Sequence, residues 1–310
     1  MAHSGTNGIG RRHWLLAAAG GVGLGRSALA ATRVRLGGPI FLHSEDVRAM
    51  AREHRRLGYS AAYCPSHLKA GDSAAIGEAQ KAFAAEDVII AEVGAWKNLL
   101  DSDPEKRKAN RQYVQERLAL AEEIGARCCV DIAGSFNPTL WDGPDKRNLT
   151  REYFDATVEN CRLLIDAVKP FHTHFSIEMM GWSLPNTPDS YLKLIKAVDR
   201  KAFGVHVDIC NIVDSPERYY DNARIIDEVF QKLGPWILSC HAKDVGPHAT
   251  HLTEVIPGRG GIDYKRYLLN LAALRSETPL MLEHLQKESE YEEGRSFILK
   301  TGKECGVTFA

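Results

Sequence analysis

The sequence has almost no net charge and, beyond its first thirty residues, lacks any long apolar run. Its 310 residues carry 39 lysines and arginines against 40 aspartates and glutamates, a formal net charge of −1. This balance offers no polybasic face of the kind that neutralises a run of phosphates, so we expect no nucleic-acid partner. No apolar run after residue 30 reaches the ~18–20 residues that span a bilayer, so we expect no stable membrane association after processing.

The seven cysteines are odd in number, and none has the Cys-x-x-Cys spacing of a zinc site. Several lie within apolar, strand-like runs, where cysteine behaves as a small buried hydrophobe: Cys64, Cys128, Cys129, Cys210 and Cys240. We therefore expect no disulfide framework.

The first thirty residues resemble a twin-arginine export signal. Arg11 and Arg12 precede a Gly/Ala-rich apolar stretch, and Ala28-Leu29-Ala30 has the small-x-small pattern of a cleavage site. The alternative, an amphipathic helix, is disfavoured because each glycine costs about 1 kcal/mol relative to alanine in a helix. Residues 1–30 are therefore predicted to be a signal peptide and residues 33–310 a single domain, exported to the periplasm or the extracellular space.

After residue 33 the sequence alternates between short apolar runs and longer charge-rich segments with helical spacing. Residues 105–124 and 151–168 are two such helical segments. Strand and helix alternating eight times is typical of a parallel α/β architecture. The eight predicted strands are residues 34–40, 60–65, 88–96, 127–135, 174–180, 203–210, 237–244 and 279–284.

Two parallel architectures compete for this pattern, the closed eight-stranded barrel and an open doubly wound sheet. About 275 residues in eight similar units fit a (β/α)8 TIM barrel. A doubly wound nucleotide-binding sheet needs a glycine-rich turn after its first strand, whereas residues 35–46 contain no G-x-G-x-x-G. The α/β fold class we predict is therefore the TIM barrel.

One polar side chain stands at the end of each of the last four predicted strands. Glu178, Asp208, His241 and Glu283 are separated by 30, 33 and 42 residues. In a barrel these ends meet at the mouth, and carboxylates with an imidazole suit one divalent ion, Mn²⁺ first, with Mg²⁺, Co²⁺ or Zn²⁺ as alternatives. Without a cation, converging carboxylates would repel one another. The alternative is four unrelated polar residues, each satisfied locally.

The order Glu, Asp, His, Glu on strands five to eight, in "SIEMM", "HVDIC", "SCHAKD" and "MLEHL", resembles the xylose isomerase-like barrel superfamily of sugar isomerases and epimerases. The resemblance covers residues 33–310. It implies that Glu178 and Glu283, besides binding the metal, act as the acid and base on either side of a sugar carbon. It also implies pairing of barrels into dimers or tetramers.

The chain departs from the ketose 3-epimerase pattern at two positions. Those epimerases carry a histidine where this chain has Asn211, and a substrate-binding glutamate where it has Leu184. Simple ketose epimerisation is therefore in question. Lys243 lies two residues beyond His241 on the same strand face, where it can polarise a carbonyl or hold an oxyanion, or pair with Asp244 or another carboxylate.

Further candidates for substrate binding lie near the predicted strand ends. Tryptophans there can stack on sugar rings, and polar residues can bind hydroxyls, although each can equally be a packing or loop residue. His206 is expected to be a hydrogen-bonded core histidine, one layer below Asp208. The substrate-binding candidates are His43, Trp96, Trp182, Asn211, His251 and Arg259, the last two in a predicted loop over residues 245–262.

Three classes of function remain after these arguments. The first is a metal-dependent isomerase or epimerase that removes a proton α to a carbonyl, through an enediolate, from a small-molecule carbohydrate. The second is a lyase or hydrolase that cleaves the C1 substituent from a 3-keto-glycoside at the same site. The third is a non-catalytic sugar-binding barrel or accessory subunit. A metal-dependent abasic-site nuclease is disfavoured, because it needs more mouth histidines and a basic surface.

Overall fold

The structure is a computed structural model that describes residues 33–274 and 276–310. The predicted signal peptide, residues 1–30, lies outside the described residues. None of the helices within the described ranges is long and apolar enough to cross a membrane.

Eight parallel strands close into a barrel, as predicted. In the ring each strand pairs with its neighbours in the order β1-β10-β7-β6-β5-β4-β3-β2. Each of the eight predicted apolar runs contains one of these strands. The barrel strands are β1 (Arg35–Gly37), β2 (Ala61–Tyr63), β3 (Ile89–Gly94), β4 (Cys128–Asp131), β5 (Phe175–Glu178), β6 (Phe203–Val207), β7 (Ile237–Ala242) and β10 (Pro279–Leu282).

Helices connect the strands and pack around the barrel. Their limits follow local capping: α3 begins after Asp103, whose carboxylate accepts two backbone N–H groups, and ends at Gly125, whose φ of 76° suits glycine. The helices are α1 (Val47–Arg56), α2 (Ser73–Ala85), α3 (Pro104–Ile124), α4 (Arg151–Val168), α5 (Pro188–Val198), α6 (Ile209–Ile212), α7 (Pro216–Tyr220), α8 (Asn222–Leu233), α9 (Tyr264–Ala272) and α10 (Glu288–Cys305).

The segment after β7 is not the plain loop that the sequence predicts. β8 (Asp244–His248) and β9 (His251–Val255) form an antiparallel hairpin where the sequence predicts a loop over residues 245–262. The Asp244 carboxylate closes the base of this segment, because it accepts backbone N–H groups from Val245, Gly258, Gly260 and Ile262. Gly246 and Pro247 are residue types depleted in strands, and the mostly exposed side chains of the segment lack the apolar alternation that indicates a strand.

The main core lies between the barrel and its helices, and of the five cysteines predicted to be buried all but Cys64 are buried. All seven are free thiols. Cys128, Cys129, Cys161, Cys210 and Cys240 are buried, while Cys64 and Cys305 are half-buried. Their burial among apolar side chains explains their positions without any disulfide.

Candidate metal centre

The four polar side chains predicted at the strand ends come together in space. Glu178 ends β5, Asp208 follows β6, His241 lies in β7 and Glu283 follows β10. One ligand atom from each lies within 4.8 Å of those of the other three. Parallel strands that close into a barrel bring their carboxyl ends to one mouth, which explains why residues so far apart in sequence meet.

His241 stands at the centre of this cluster. Its Nδ1 lies 2.8 Å from Glu283 Oε1, 2.9 Å from Glu178 Oε1 and 3.5 Å from Asp208 Oδ2. His241, Glu178 and Asp208 are all buried, and Glu283 is largely so. Three carboxylates therefore surround one imidazole nitrogen in a place that solvent hardly reaches.

Lys243 projects into the same cluster. Its Nζ lies 2.7 Å from Asp208 Oδ2 and 2.7 Å from Glu283 Oε1, and 3.9 Å from Glu178 Oε1. Of the alternatives that the sequence left open, the structure therefore places the ammonium among the cluster carboxylates and not on Asp244. It supplies a positive charge where the carboxylates would otherwise repel one another.

Asn211 joins two members of the cluster. Its side-chain amide donates to Glu178 Oε1 at 3.1 Å, and its Oδ1 accepts from Lys243 Nζ at 3.2 Å. Its backbone N–H donates to Asp208 Oδ1, which caps the short helix α6. Asn211 therefore orients a glutamate and a lysine of the site.

The pKa values of the cluster reflect the competition between burial and charge. Burial raises the pKa of Glu178 above its ordinary value. Burial acts in the same direction on Asp208 and Glu283, but Lys243 and His241 outweigh it, so the pKa of Asp208 is lowered and that of Glu283 falls to about 2. Burial disfavours the imidazolium of His241, yet Glu283 and Glu178 raise its pKa well above the ordinary value.

The donor set fits a divalent cation. Asp208 Oδ2 and Glu283 Oε1 are buried oxygens that accept no hydrogen bond of good geometry, although Lys243 Nζ lies close to both. Such oxygens retain lone pairs for a cation. Carboxylates with one imidazole are the ligands that Mn²⁺, Mg²⁺, Co²⁺ and Zn²⁺ share. The buried cluster therefore forms a candidate divalent-metal site.

A second buried group lies next to the cluster, on the other side of His241. Glu92 on β3 accepts from His206 Nε2 at 3.0 Å and from His241 Nε2 at 3.3 Å. The hydroxyl of Ser239 donates to Glu92 Oε1 as well. His206 is thus the hydrogen-bonded core histidine that the sequence predicts, and its partner is a carboxylate that the sequence analysis missed.

Two cavities open at the barrel mouth and share Lys243, Glu283 and His284. The aromatic cavity, of about 390 Å³, is lined by Tyr63, Trp96 and Trp141 together with Glu178 and Asn211. The outer cavity, of about 430 Å³, is lined by Glu254, Arg259 and Gln286, among others. The metal site therefore borders one cavity with flat apolar faces and one with polar walls.

The structure brings some of the predicted substrate-binding residues to these cavities and not others. Trp96 and Asn211 line the aromatic cavity, and Trp96 lies 6.3 Å from His241 between ring centroids. Arg259 lines the outer cavity while its guanidinium pairs with Glu293. The other three are exposed side chains that do not line either cavity: His43, Trp182 and His251.

The sequence offered a signal for the missed carboxylate Glu92. It lies inside the apolar run "VIIAEVGAW", as Asp208 lies inside "FGVHVDIC", and a buried acid in such a run requires a partner. Asp131 in "RCCVDIAGS" is a similar case, and its Oδ1 accepts the N–H groups of Lys97 and Ile132. Trp141 and Glu254 carried no such signal, because they lie on irregular or exposed segments.

Comparisons with known proteins agree with this fold. The model of a family described as xylose isomerase-like TIM barrel matches residues 50–301. No curated protein sequence matches the chain.

Solved structures with different activities share the fold. Escherichia coli 3-keto-D-glucoside 4-epimerase is 14% identical with a TM-score of 0.65, over 87% of this chain and 100% of that one. D-psicose 3-epimerase from Clostridium cellulolyticum is 15% identical with a TM-score of 0.64, over 88% of this chain and 100% of that one. Endonuclease IV from Thermus thermophilus is 15% identical with a TM-score of 0.65, over 87% of this chain and 99% of that one. At these identities the likeness shows the fold alone.

Proposed function

Because the chain belongs to the xylose isomerase-like TIM barrel family, we propose that it is a divalent-metal-dependent sugar isomerase or epimerase. The reaction is removal of a proton α to the carbonyl of a keto-sugar or sugar derivative and its return at another position or on another face. The observation that carries this proposal is the cluster of Glu178, Asp208, His241 and Glu283, whose ligand atoms lie within 4.8 Å of one another.

Glu178 and Glu283 are proposed as the acid and base. They extend from β5 and from the end of β10, approach His241 Nδ1 from different strands, and both line the aromatic cavity. Two carboxylates that reach one carbon from different directions can take a proton on one face and deliver it on the other. Asn211 and Lys243 hold Glu178 and Glu283 in place through the contacts described above.

The cation would be held by Glu178, Asp208, His241 and Glu283, with Mn²⁺ favoured over Mg²⁺, Co²⁺ and Zn²⁺. When bound, it would supply Lewis-acid polarisation of the substrate carbonyl. Lys243 adds a second positive charge beside the same carboxylates, so it can hold an oxyanion on the substrate.

The aromatic cavity is proposed to take the sugar ring. Trp96 and Trp141 provide flat apolar faces of the kind that stack on sugars, while Asn211 provides polar atoms for hydroxyls. The overall charge of −1 disfavours a nucleic-acid duplex as substrate. The expected partner is a small carbohydrate.

Hydrogen exchange tests this function directly. Protein saturated with Mn²⁺ is incubated in D₂O with a panel of keto-sugars and 3-keto-glycosides, and carbon-bound deuterium is followed by NMR. We expect incorporation that requires Mn²⁺ and falls at least about 100-fold in Glu178→Gln and Glu283→Gln. Glu105→Gln, an exposed change on α3, is the matched control. Absence of exchange with the whole panel, with sugar binding intact in both site variants, would favour a sugar-binding protein instead.

A second candidate reaction is elimination of the C1 substituent from a 3-keto-glycoside. The observation that favours it is Lys243, whose ammonium lies 2.7 Å from Glu283 Oε1 where the two cavities meet. An ammonium there can protonate a leaving oxygen while a carboxylate removes the proton at C2. The chain has Asn211 and Leu184 where the ketose 3-epimerases carry a histidine and a glutamate, which also favours elimination over simple ketose epimerisation. Release of the substituent in the same incubations, lost in Lys243→Met, would identify this reaction.

The remaining parts of the proposal concern location and assembly. The twin-arginine signal and a periplasmic or extracellular location are proposed from residues 1–30 of the sequence alone. A dimer or tetramer is proposed from the family resemblance. Light scattering on the processed protein, residues 31–310, measures the oligomeric state.

A further inference from the structure

Glu92 occupies an unusual place in the barrel. It lies on β3, which is separated from β7 by three strands in either direction around the ring. Its carboxylate nevertheless contacts Ser239 and His241, both on β7. Glu92 therefore reaches across the barrel interior to the strand that carries the histidine of the metal cluster.

The contacts of Glu92 account for its charge. Its side chain is fully buried, and burying an unpaired carboxylate is costly. Three donors offset this cost, because Oε1 accepts from His206 Nε2 and from the hydroxyl of Ser239, and Oε2 accepts from His241 Nε2. Burial alone would raise the pKa of Glu92, but His206 and His241 hold it below its ordinary value.

The contact with His241 fixes which ring nitrogen faces the cluster. A carboxylate accepts hydrogen bonds and does not donate them, so His241 Nε2 keeps its hydrogen toward Glu92. Nδ1 is the nitrogen that faces the carboxylates of Glu178 and Glu283. A histidine binds a metal through a nitrogen without a proton, so Nδ1 is the atom available to an ion.

We propose that Glu92 is a positioning residue of the metal site, which holds the His241 ring in the orientation and tautomer in which Nδ1 binds the cation. Carboxylate partners of this kind orient metal-binding histidines generally, and their loss typically costs 10–100-fold in metal affinity. His206 and Ser239 hold Glu92 itself, through Oε1. The inference concerns metal binding and does not depend on which sugar the protein uses.

Glu92, His206 and His241 are also close enough together to hold an ion themselves. The hydrogen bonds argue against this use, because the nitrogens of both histidines that face Glu92 donate to it. A cation among them would require both nitrogens to lose their hydrogens. A stoichiometry of two ions per chain would therefore overturn the proposal.

Calorimetric titration with Mn²⁺ on the full processed chain tests the role of Glu92. We expect one ion per chain and an affinity 10–100-fold lower in Glu92→Gln than in the wild type. Asp131→Asn is the matched control, since Asp131 is an equally buried carboxylate whose Oδ1 accepts only backbone N–H groups. An affinity of Glu92→Gln within threefold of the wild type, or an equal loss in Asp131→Asn, would overturn the proposal.

The tautomer can be measured in the wild type, which keeps the test decisive if Glu92→Gln does not fold. Among the 12 histidines, labelled with ¹⁵N, the His241 signals are those that shift most when Mg²⁺ is added. We expect a protonated Nε2 and an Nδ1 without hydrogen in the Mg²⁺-loaded protein. The opposite tautomer would show that Glu92 does not set the ligand nitrogen.

Discussion

Lys243 Nζ lies 2.7 Å from Asp208 Oδ2 and equally close to Glu283 Oε1, so two carboxylates that converge on a single point share one ammonium. The lysine is itself buried. In the absence of an ion, this charge allows the acidic cluster to exist inside the barrel mouth. The same carboxylate oxygens are those proposed to bind the cation.

Lys243→Met should destabilise the metal-free protein by about 3–5 kcal/mol, because it leaves buried carboxylates without their partner. Excess Mn²⁺ should restore most of this loss, since a bound cation supplies the missing charge. Urea unfolding with and without Mn²⁺ measures both effects. Lys232→Met, which removes a partly exposed lysine from Asp189 and Glu228, is the control and should cost about 1 kcal/mol or less. Equal losses in the two variants would contradict the expectation.

Chelation should lower the stability of the wild type, because an ion that binds only the folded state stabilises it. At a free ion concentration of 100 times the dissociation constant, the free energy of unfolding rises by about 2.7 kcal/mol. Asp208→Asn should abolish the gain from added Mn²⁺, whereas Asp131→Asn should retain it. Thermal unfolding with graded Mn²⁺ provides the measurement. A wild type that is indifferent to Mn²⁺ would argue against a metal site.

Stability should depend on pH through His54 on α1. Burial lowers the pKa of this histidine, and its Nδ1 donates to Met50 O while its ring packs against Tyr59 and Phe83. The folded state therefore favours the neutral ring. The stability that the neutral ring contributes is fully present above the pKa of about 6.5 in the unfolded chain. It is lost as the pH falls toward the lower pKa of the folded state.

His54→Phe should remove this part of the pH dependence. Between about pH 6.5 and 5, the unfolding free energy of the wild type should fall more steeply than that of the variant, by at most about 1.4 kcal/mol per pH unit. Urea unfolding at a series of pH values gives both slopes. Parallel slopes would show that His54 does not titrate with folding.

Two glycine-to-alanine changes should have opposite effects. A Cβ at Gly37 on β1 would lie 2.5 Å from the carbonyl oxygen of Ala61, so Gly37→Ala should cost about 1–3 kcal/mol by overpacking. A Cβ at Gly77 within α2 meets nothing within 4 Å, so Gly77→Ala should stabilise by up to about 1 kcal/mol. Unfolding midpoints measured side by side check the pair. An unchanged unfolding midpoint of Gly37→Ala would mean that β1 moves to accommodate the methyl group without loss of stability.

Replacement of both Arg11 and Arg12 by lysine should block export, because the predicted signal depends on the paired arginines. Cell fractionation of the full-length chain should then find the precursor in the cytoplasm. The unchanged sequence should yield a shorter, processed protein outside it. Equal export of the two would mean that another route carries the chain.

Sequence reasoning brought together the four residues of the candidate metal site because the barrel repeats. Each of Glu178, Asp208, His241 and Glu283 stands at the end of an apolar run, and the architecture alone sends such ends to one mouth. No detail of packing was needed for that inference. The same repeat also explains why each predicted run contains a strand, although several runs are longer than their strands, and why the helices 105–124 and 151–168 could be predicted nearly to the residue.

Residues that depend on loop geometry could not be predicted in this way. Trp182 and His43 follow barrel strands as Trp96 does, yet of the three only Trp96 lines the aromatic cavity, and its backbone has a φ of 41°. That conformation is uncommon for a non-glycine residue and is set by its surroundings. The hairpin of β8 and β9 likewise depends on one distant carboxylate, Asp244, that gathers backbone groups spread over residues 245–262.

The closure of that segment by Asp244 has an evolutionary consequence. Backbone N–H groups at both ends of the segment donate to Asp244, the residue that follows Lys243. Insertions, deletions and substitutions between Gly246 and Pro257 can therefore accumulate without displacing Lys243. The tip of the hairpin is exposed and forms no part of the barrel. For the function proposed above, exchange of this hairpin alters one wall of the outer cavity and leaves the barrel unchanged, so directed libraries for a new substrate range are best confined to it.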